Sequence, residues 1–143
     1  MATPSQNKYL LFTLHGSLYA LDLQQIAEVG DIPTLYPIPL VPACYSGSFN
    51  YHGTIVAALN PSTLMGETSS TPPGKIIVIR REIAALALLV DEVASICDGN
   101  GEPHPAPLPH IFSLFTLETP NGEALLVNLD MLIKEVETAT GKR

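Results

Sequence analysis

Apolar residues fall along this chain in short blocks cut by turn formers, and the blocks come twice. Tyr9 to Leu14, a break at His15-Gly16-Ser17, then Leu18 to Leu23 predict a β-hairpin. Ile26 to Val29 alternates apolar with polar or small residues, as a strand with one exposed face does. Lys75 to Arg80, a turn, then Leu86 to Val90 and Val93 to Ile96 repeat that order. A proline-spaced stretch follows in each half, Pro37-Pro39-Pro42 and Pro103-Pro105-Pro107-Pro109. Each half closes on an apolar run ending in asparagine, Ile55 to Asn60 and Ala124 to Asn128. The two copies are offset by roughly 66 to 69 residues, the drift expected when loops vary around a constant core. Two similar lobes leave a cleft between them, and a cleft is a place to bind a partner.

Short helices are expected to close each half. Asn60 suits a helix cap, Pro61 the first helical position and Gly66 the residue past the end. In the second half the cap is Asn128 or Asp130, ahead of helical spacing at Leu129, Leu132, Ile133 and Val136. Glu82 to Ile96 has good intrinsic helix propensity. The repeat assigns it to strands instead, because its partner segment carries a hairpin. Thirteen prolines argue against long helices, and both proline clusters read as extended connections between strands. The expected organisation is a tail at 1–7, a first lobe at about 8–66, a linker at 67–74, a second lobe at about 75–137 and a tail at 138–143. Exchange of strands between the lobes is left open. The fold class is all-β.

Composition narrows the function. With 143 residues the chain holds one domain, or two lobes too small to be comfortable alone. Its net charge is −7, and no Lys or Arg stands between Tyr9 and Gly74. Nucleic-acid binding needs cations to displace phosphate counterions, so no nucleic-acid partner is expected. The longest uninterrupted apolar run, Ile83 to Val90, is far short of a bilayer span, and the N-terminus lacks the features of a secretion signal. Cytoplasmic localisation without membrane insertion is the expectation, with Cys44 and Cys97 as free thiols.

Catalytic sets are thin. No nucleophile elbow, phosphate-binding loop or dinucleotide fingerprint occurs. Cys97, Glu102, His104 and His110 match no standard zinc spacing, and nothing orients Cys44 with His52 as nucleophile and base. The expectation is no enzyme, no metal and no cofactor. Gly47 to Gly53 reads as a tight loop in which the glycines supply backbone freedom and Asn50 bonds the local chain. Aromatic Phe49 and Tyr51 on a braced turn also suit a presented contact surface. This turn has no sequence counterpart in Leu114 to Gly122.

Taken in order and spacing, the stretches Tyr9–Leu14, Tyr19–Leu23, Ile26–Val29, Gly47–Val56, Leu88–Val93, Pro105–Pro107 and Leu125–Asn128 resemble the CheW family of chemotaxis coupling proteins over about residues 8–137. The resemblance implies two SH3-like five-stranded β-barrels packed side by side. It implies a non-enzymatic adaptor coupling a CheA-type histidine kinase, through the kinase's regulatory domain, to the cytoplasmic tips of chemoreceptors. The kinase contact would fall on Ile26, Glu28, Gly47, Asn50 and Gly53. The receptor tip would lie in the groove between lobes, at His52, Ile76, Ala87, Val93 and Ile96. The family's turn usually reads Asn-x-Arg-Gly, and this chain has His52 in place of the arginine. Ala57 and Asn60 replace a family proline and aspartate. Arginine carries a permanent charge on a planar fork, which histidine does not supply at neutral pH. The departure points to an alternative, a diverged scaffold serving a twitching or surface-sensing pathway with weakened receptor engagement.

Overall fold

The computed structural model describes residues 8–39, 41, 43–66, 72–99 and 103–139. The expected tail at 1–7, most of the linker (67–71), Glu102 and the last four residues lie outside these. Among the described residues, eleven strands form two sheets. In chain order they are β1 (Lys8–Leu14), β2 (Ser17–Asp22), β3 (Ile26–Gly30), β4 (Tyr45–Tyr51), β5 (Thr54–Leu59), β6 (Lys75–Ile79), β7 (Leu86–Val90), β8 (Glu92–Asp98), β9 (His104–His110), β10 (Ser113–Thr119) and β11 (Gly122–Leu126). Two helices, α1 (Pro61–Leu64) and α2 (Leu129–Ala139), follow β5 and β11.

The six-stranded sheet runs β8-β1-β2-β11-β10-β9, and the five-stranded sheet runs β3-β6-β7-β5-β4. Neither sheet is a contiguous half of the chain. The first half's hairpin, β1–β2, sits between β8 and β11 of the second half, and the second half's hairpin, β6–β7, sits between β3 and β5 of the first. The exchange is reciprocal to the residue. Leu10 pairs with Ile96 as Ile77 pairs with Val29, and both ladders slip at an equivalent alanine, Ala94 or Ala27, which has no partner across the pair. Each such bulge adds local twist to an edge strand.

This interleaving explains the apolar runs. Both hairpins are buried on both faces, so their strands read as continuous hydrophobic blocks rather than alternating ones. Leu10, Phe12 and Leu14 of β1 meet Ile77, Ile79, Leu88 and Val90 of β6 and β7 in one core shared by the sheets, where α2 adds Leu129, Leu132 and Val136. The residues between them point the other way. Tyr9 and Leu11 pack inside the six-stranded lobe with Leu117 and Ala124. Ile76, Val78, Ala87 and Leu89 pack inside the five-stranded lobe with Phe49 and Val56.

Helix ends follow the sequence signals. Asn60 Oδ1 accepts from the Ser62 amide at 3.1 Å, with Pro61 in the first turn. At α2 the cap is Asn128, whose Oδ1 accepts from the Met131 amide at 3.1 Å. The second helix runs to Ala139. Two expectations change. The segment 103–109 is largely a strand, not a connection. It lies at a sheet edge, where prolines are tolerated because their missing N–H groups need not enter a ladder. One lobe also has six strands rather than five, and β9 is the addition. Within the Glu82 to Ile96 segment, Leu86–Val90 is strand and Glu92 onward is strand, with no helix, as the repeat required.

Candidate partner-binding site

Most of the loop read at Gly47 to Gly53 is strand. β4 runs to Tyr51, and the turn itself is His52-Gly53, with φ of 51° and 87°. Two successive positive φ values suit a two-residue hairpin, whose twist matches that of the strands. Asn50 Oδ1 accepts from the Gly53 amide at 2.9 Å and closes the turn. The second half has a hairpin in the same place, with Thr119 paired to Gly122 across Pro120-Asn121. The hairpin is therefore duplicated in position, but its turn differs in conformation as well as sequence, since neither Pro120 nor Asn121 has positive φ. His52 is exposed and packs edge-on against the Tyr51 ring, with centroids 4.3 Å apart.

Strands β3 and β4 lie at opposite edges of the five-stranded sheet, and the sheet curls until they meet. The Tyr51 hydroxyl donates to Glu28 Oε1 at 2.8 Å. That hydrogen bond pushes the Tyr51 phenol above its usual pKa. Beside this closure lies a depression of about 380 Å³. Ile26 and Ala27 of β3, Val56 of β5 and Ile79 at the end of β6 form its apolar part. Tyr51, His52 and Thr54 border it on the hairpin side, and Arg80, Arg81 and Glu82 on the other. Arg81 Nη1 donates to Thr54 Oγ1 at 3.1 Å.

The geometry brings together Ile26, Glu28, Asn50, His52 and Gly53 around one closed edge, although the sequence reading divided them between two partners. Gly47 stands earlier in β4, with φ of 147°. A Cβ there would come within 2.8 Å of the Tyr36 carbonyl oxygen, because Tyr36 and Ser48 exchange backbone hydrogen bonds across the outer edge of β4. Its glycine serves that close approach.

The proposed receptor positions separate. Ile96 is 56% exposed on the edge strand β8, with Val93 half-buried on the same strand. Ile76 and Ala87 are 3% and 0% exposed inside the five-stranded lobe. Their side chains offer no surface to a partner, which corrects the groove lining expected from sequence. Both stand in uniformly apolar strands, where sequence does not distinguish the inward face from an outward one.

The weak catalytic sets do not assemble. Cys44 is buried between the sheets at the start of β4, while His52 is beyond its far end, separated by a strand roughly 20 Å long. His110 meets the Tyr19 hydroxyl at 3.1 Å and accepts from the Phe112 amide through Nδ1 at 3.2 Å, inside an aromatic cluster with Phe12. Among the described residues no group of His, Cys, Asp and Glu could hold a metal ion. No helix among them is long and apolar enough to cross a membrane. The sequence reading missed Thr54, Arg80 and Arg81. The available signal was an Arg-Arg pair in a chain with only seven basic residues.

Comparisons with known proteins agree with this architecture. The chain is 25% identical over 99 residues to the chemotaxis protein CheW of Treponema pallidum (strain Nichols), a match covering 64% of this chain and 57% of that protein. In structure it resembles the scaffolding protein TtCheW of Thermoanaerobacter tengcongensis, with a TM-score of 0.75, 20% identity, and coverage of 86% of this chain and 89% of the other. The family model of the CheW-like domain matches residues 8–137, spanning both interleaved sheets, and the chain belongs to that family.

Proposed function

We propose that this protein is a non-enzymatic adaptor of a chemosensory complex, joining the regulatory domain of a CheA-type histidine kinase to the cytoplasmic tip of a chemoreceptor. Members of the family are scaffolds rather than enzymes. The observation that carries the reading is the match of the family model to 8–137, covering both sheets, hairpins and caps. The kinase contact is assigned to the closed edge of the five-stranded lobe, at Ile26, Glu28, Asn50 and Gly53, with Gly47 behind it as the residue that shapes β4. The receptor contact is assigned to β8, at exposed Ile96 and half-buried Val93, with His52. A strand edge carrying exposed isoleucine suits the apolar face of a receptor helix.

The test is binding of the purified kinase regulatory domain to the full chain, followed by the Glu28→Lys variant. The expected result is measurable binding that the charge reversal weakens. Unchanged affinity removes Glu28 from the contact, and absence of binding by a folded protein rejects the adaptor reading. His52 favours a second reading, a diverged scaffold of a twitching or surface-sensing pathway. Kinase binding retained with receptor-tip binding absent, and restored by His52→Arg, would select it.

A further inference from the structure

The protein is acidic, yet it gathers its two arginines that lie among the described residues beside one apolar depression. Among those residues the other cations are Lys8, Lys75 and Lys134. Lys8 is held by Asp98 and Lys75 by Asp31, each at 2.7 Å. Arg80 and Arg81 are exposed, and neither has a carboxylate partner among the described residues. Arg81 is steadied by a neutral group, the Thr54 hydroxyl, which occupies one of its five N–H donors and leaves the charge uncompensated. Glu82 stands beside them on the rim, while the Glu28 carboxylate is engaged by the Tyr51 hydroxyl at its edge.

We propose that this depression receives an acidic–apolar segment of the kinase regulatory domain. A large apolar side chain of that segment seats on Ile26, Val56 and Ile79, and a neighbouring aspartate or glutamate is held by Arg80 and Arg81. The apolar part of the depression lacks the polar groups that a free anion would need around it, and two guanidinium groups without carboxylate partners on the rim disfavour a basic peptide. A planar guanidinium already oriented by one hydrogen bond loses less freedom when it grips a carboxylate in a fork. On a protein of net charge −7, the same pair also marks where an acidic partner can approach. The inference rests on the adaptor reading and adds to it the chemistry of the docked segment.

The experiment is calorimetric titration of the full chain with the kinase regulatory domain at low and high salt. It compares the unaltered protein, Arg81→Gln, the double variant Arg80→Gln/Arg81→Gln, and Lys134→Gln as a distant control. All three substituted sites are exposed, and circular dichroism with thermal melting verifies the fold. The double variant should bind about tenfold more weakly and lose most of its salt dependence, while Lys134→Gln should match the unaltered protein. Arg81→Lys should recover only part of the loss, because a point charge does not reproduce the fork. Binding that is unaffected by the double variant overturns this inference and leaves the adaptor reading standing. No binding by any folded form overturns both.

Discussion

Tyr51 and Glu28 belong to strands at the two opposite edges of one sheet, and a 2.8 Å hydrogen bond joins them. Backbone pairing leaves β3 and β4 as edges, and this side-chain bond closes the curl that positions the apolar depression. Both groups lie near solvent, so the bond contributes little to stability. Tyr51→Phe should lower the unfolding free energy by less than about 1 kcal/mol in urea titration. Its clearer signature is the phenol itself. Tyr51 titrates above the usual tyrosine value because Glu28 accepts its proton-bearing hydroxyl. A phenol raised in this way stabilises the fold while protonated, and that contribution is lost as pH rises through the folded value. Glu28→Gln should move the Tyr51 titration back toward the ordinary value, followed by ring carbon resonances at high pH. A Tyr51 titration unchanged in that variant would show that the pair is not formed in solution.

The reciprocal exchange of hairpins makes a strong statement about folding. Each half contributes its two-stranded hairpin to the other half's sheet, so a half alone leaves strands such as β3 and β5 without the pair that should lie between them. It also exposes one wall of the shared core around Phe12 and Leu88. Fragments 1–66 and 75–143, made separately, should show no cooperative thermal transition by circular dichroism. Mixed in equal amounts, they should recover one, and the unbroken chain should unfold in a single step by both fluorescence and circular dichroism. A cooperative transition in either fragment alone would refute the interdependence.

That exchange also marks where sequence reading reached its limit. The strands and caps were legible because each rests on local chemistry, such as Asn60 before Pro61 or the turn at His15-Gly16. The repeat was legible because the two halves share a register. The partner of each hairpin was not, since Ile76 to Ile79 and Leu86 to Val90 are apolar on both faces and would fit either sheet. The same ambiguity put Ile76 and Ala87 on a surface they do not reach. The strand at His104–His110 was obscured by its prolines, whose edge position only the topology reveals. Arg80 and Arg81 acquire meaning only when the sheet curls and sets them opposite Thr54, a residue far from them in the chain.

Cys44 and Cys97 lie in different apolar clusters, one between the sheets and one inside the six-stranded lobe. Burial pushes both thiols above their usual pKa. Raised values keep them neutral at physiological pH, and the thiolate is the reactive form. An aromatic disulfide reagent at pH 8 should label neither cysteine in the native protein within minutes, and both in denaturant. The linkage runs the same way. Stability held by the neutral thiols is present below the ordinary thiol pKa and declines as pH rises through the folded values. Fast stoichiometric labelling of the native protein would contradict the burial of these side chains.

Gly47 and Gly53 both have positive φ, but for different reasons, and substitution should separate them. At Gly53 an added methyl meets nothing within 4 Å. Gly53→Ala should therefore incur only the backbone penalty of a left-handed residue, about 1 to 2 kcal/mol. At Gly47 the methyl would lie 2.8 Å from the Tyr36 carbonyl oxygen and 2.9 Å from Leu35 Cβ, while the Tyr36–Ser48 hydrogen bonds hold that backbone in place. Relief requires breaking that bridge or moving β4, so Gly47→Ala should cost about 1 to 3 kcal/mol more than Gly53→Ala. Urea unfolding of the two variants measures the difference directly. The ordering also bears on the proposed kinase contact. Weaker kinase binding by Gly47→Ala should accompany its loss of stability, whereas an effect of Gly53→Ala on binding should exceed its small effect on folding. Equal stability of the two variants would mean that the Tyr36 segment does not press on β4, and that Gly47 is needed for something other than this close approach.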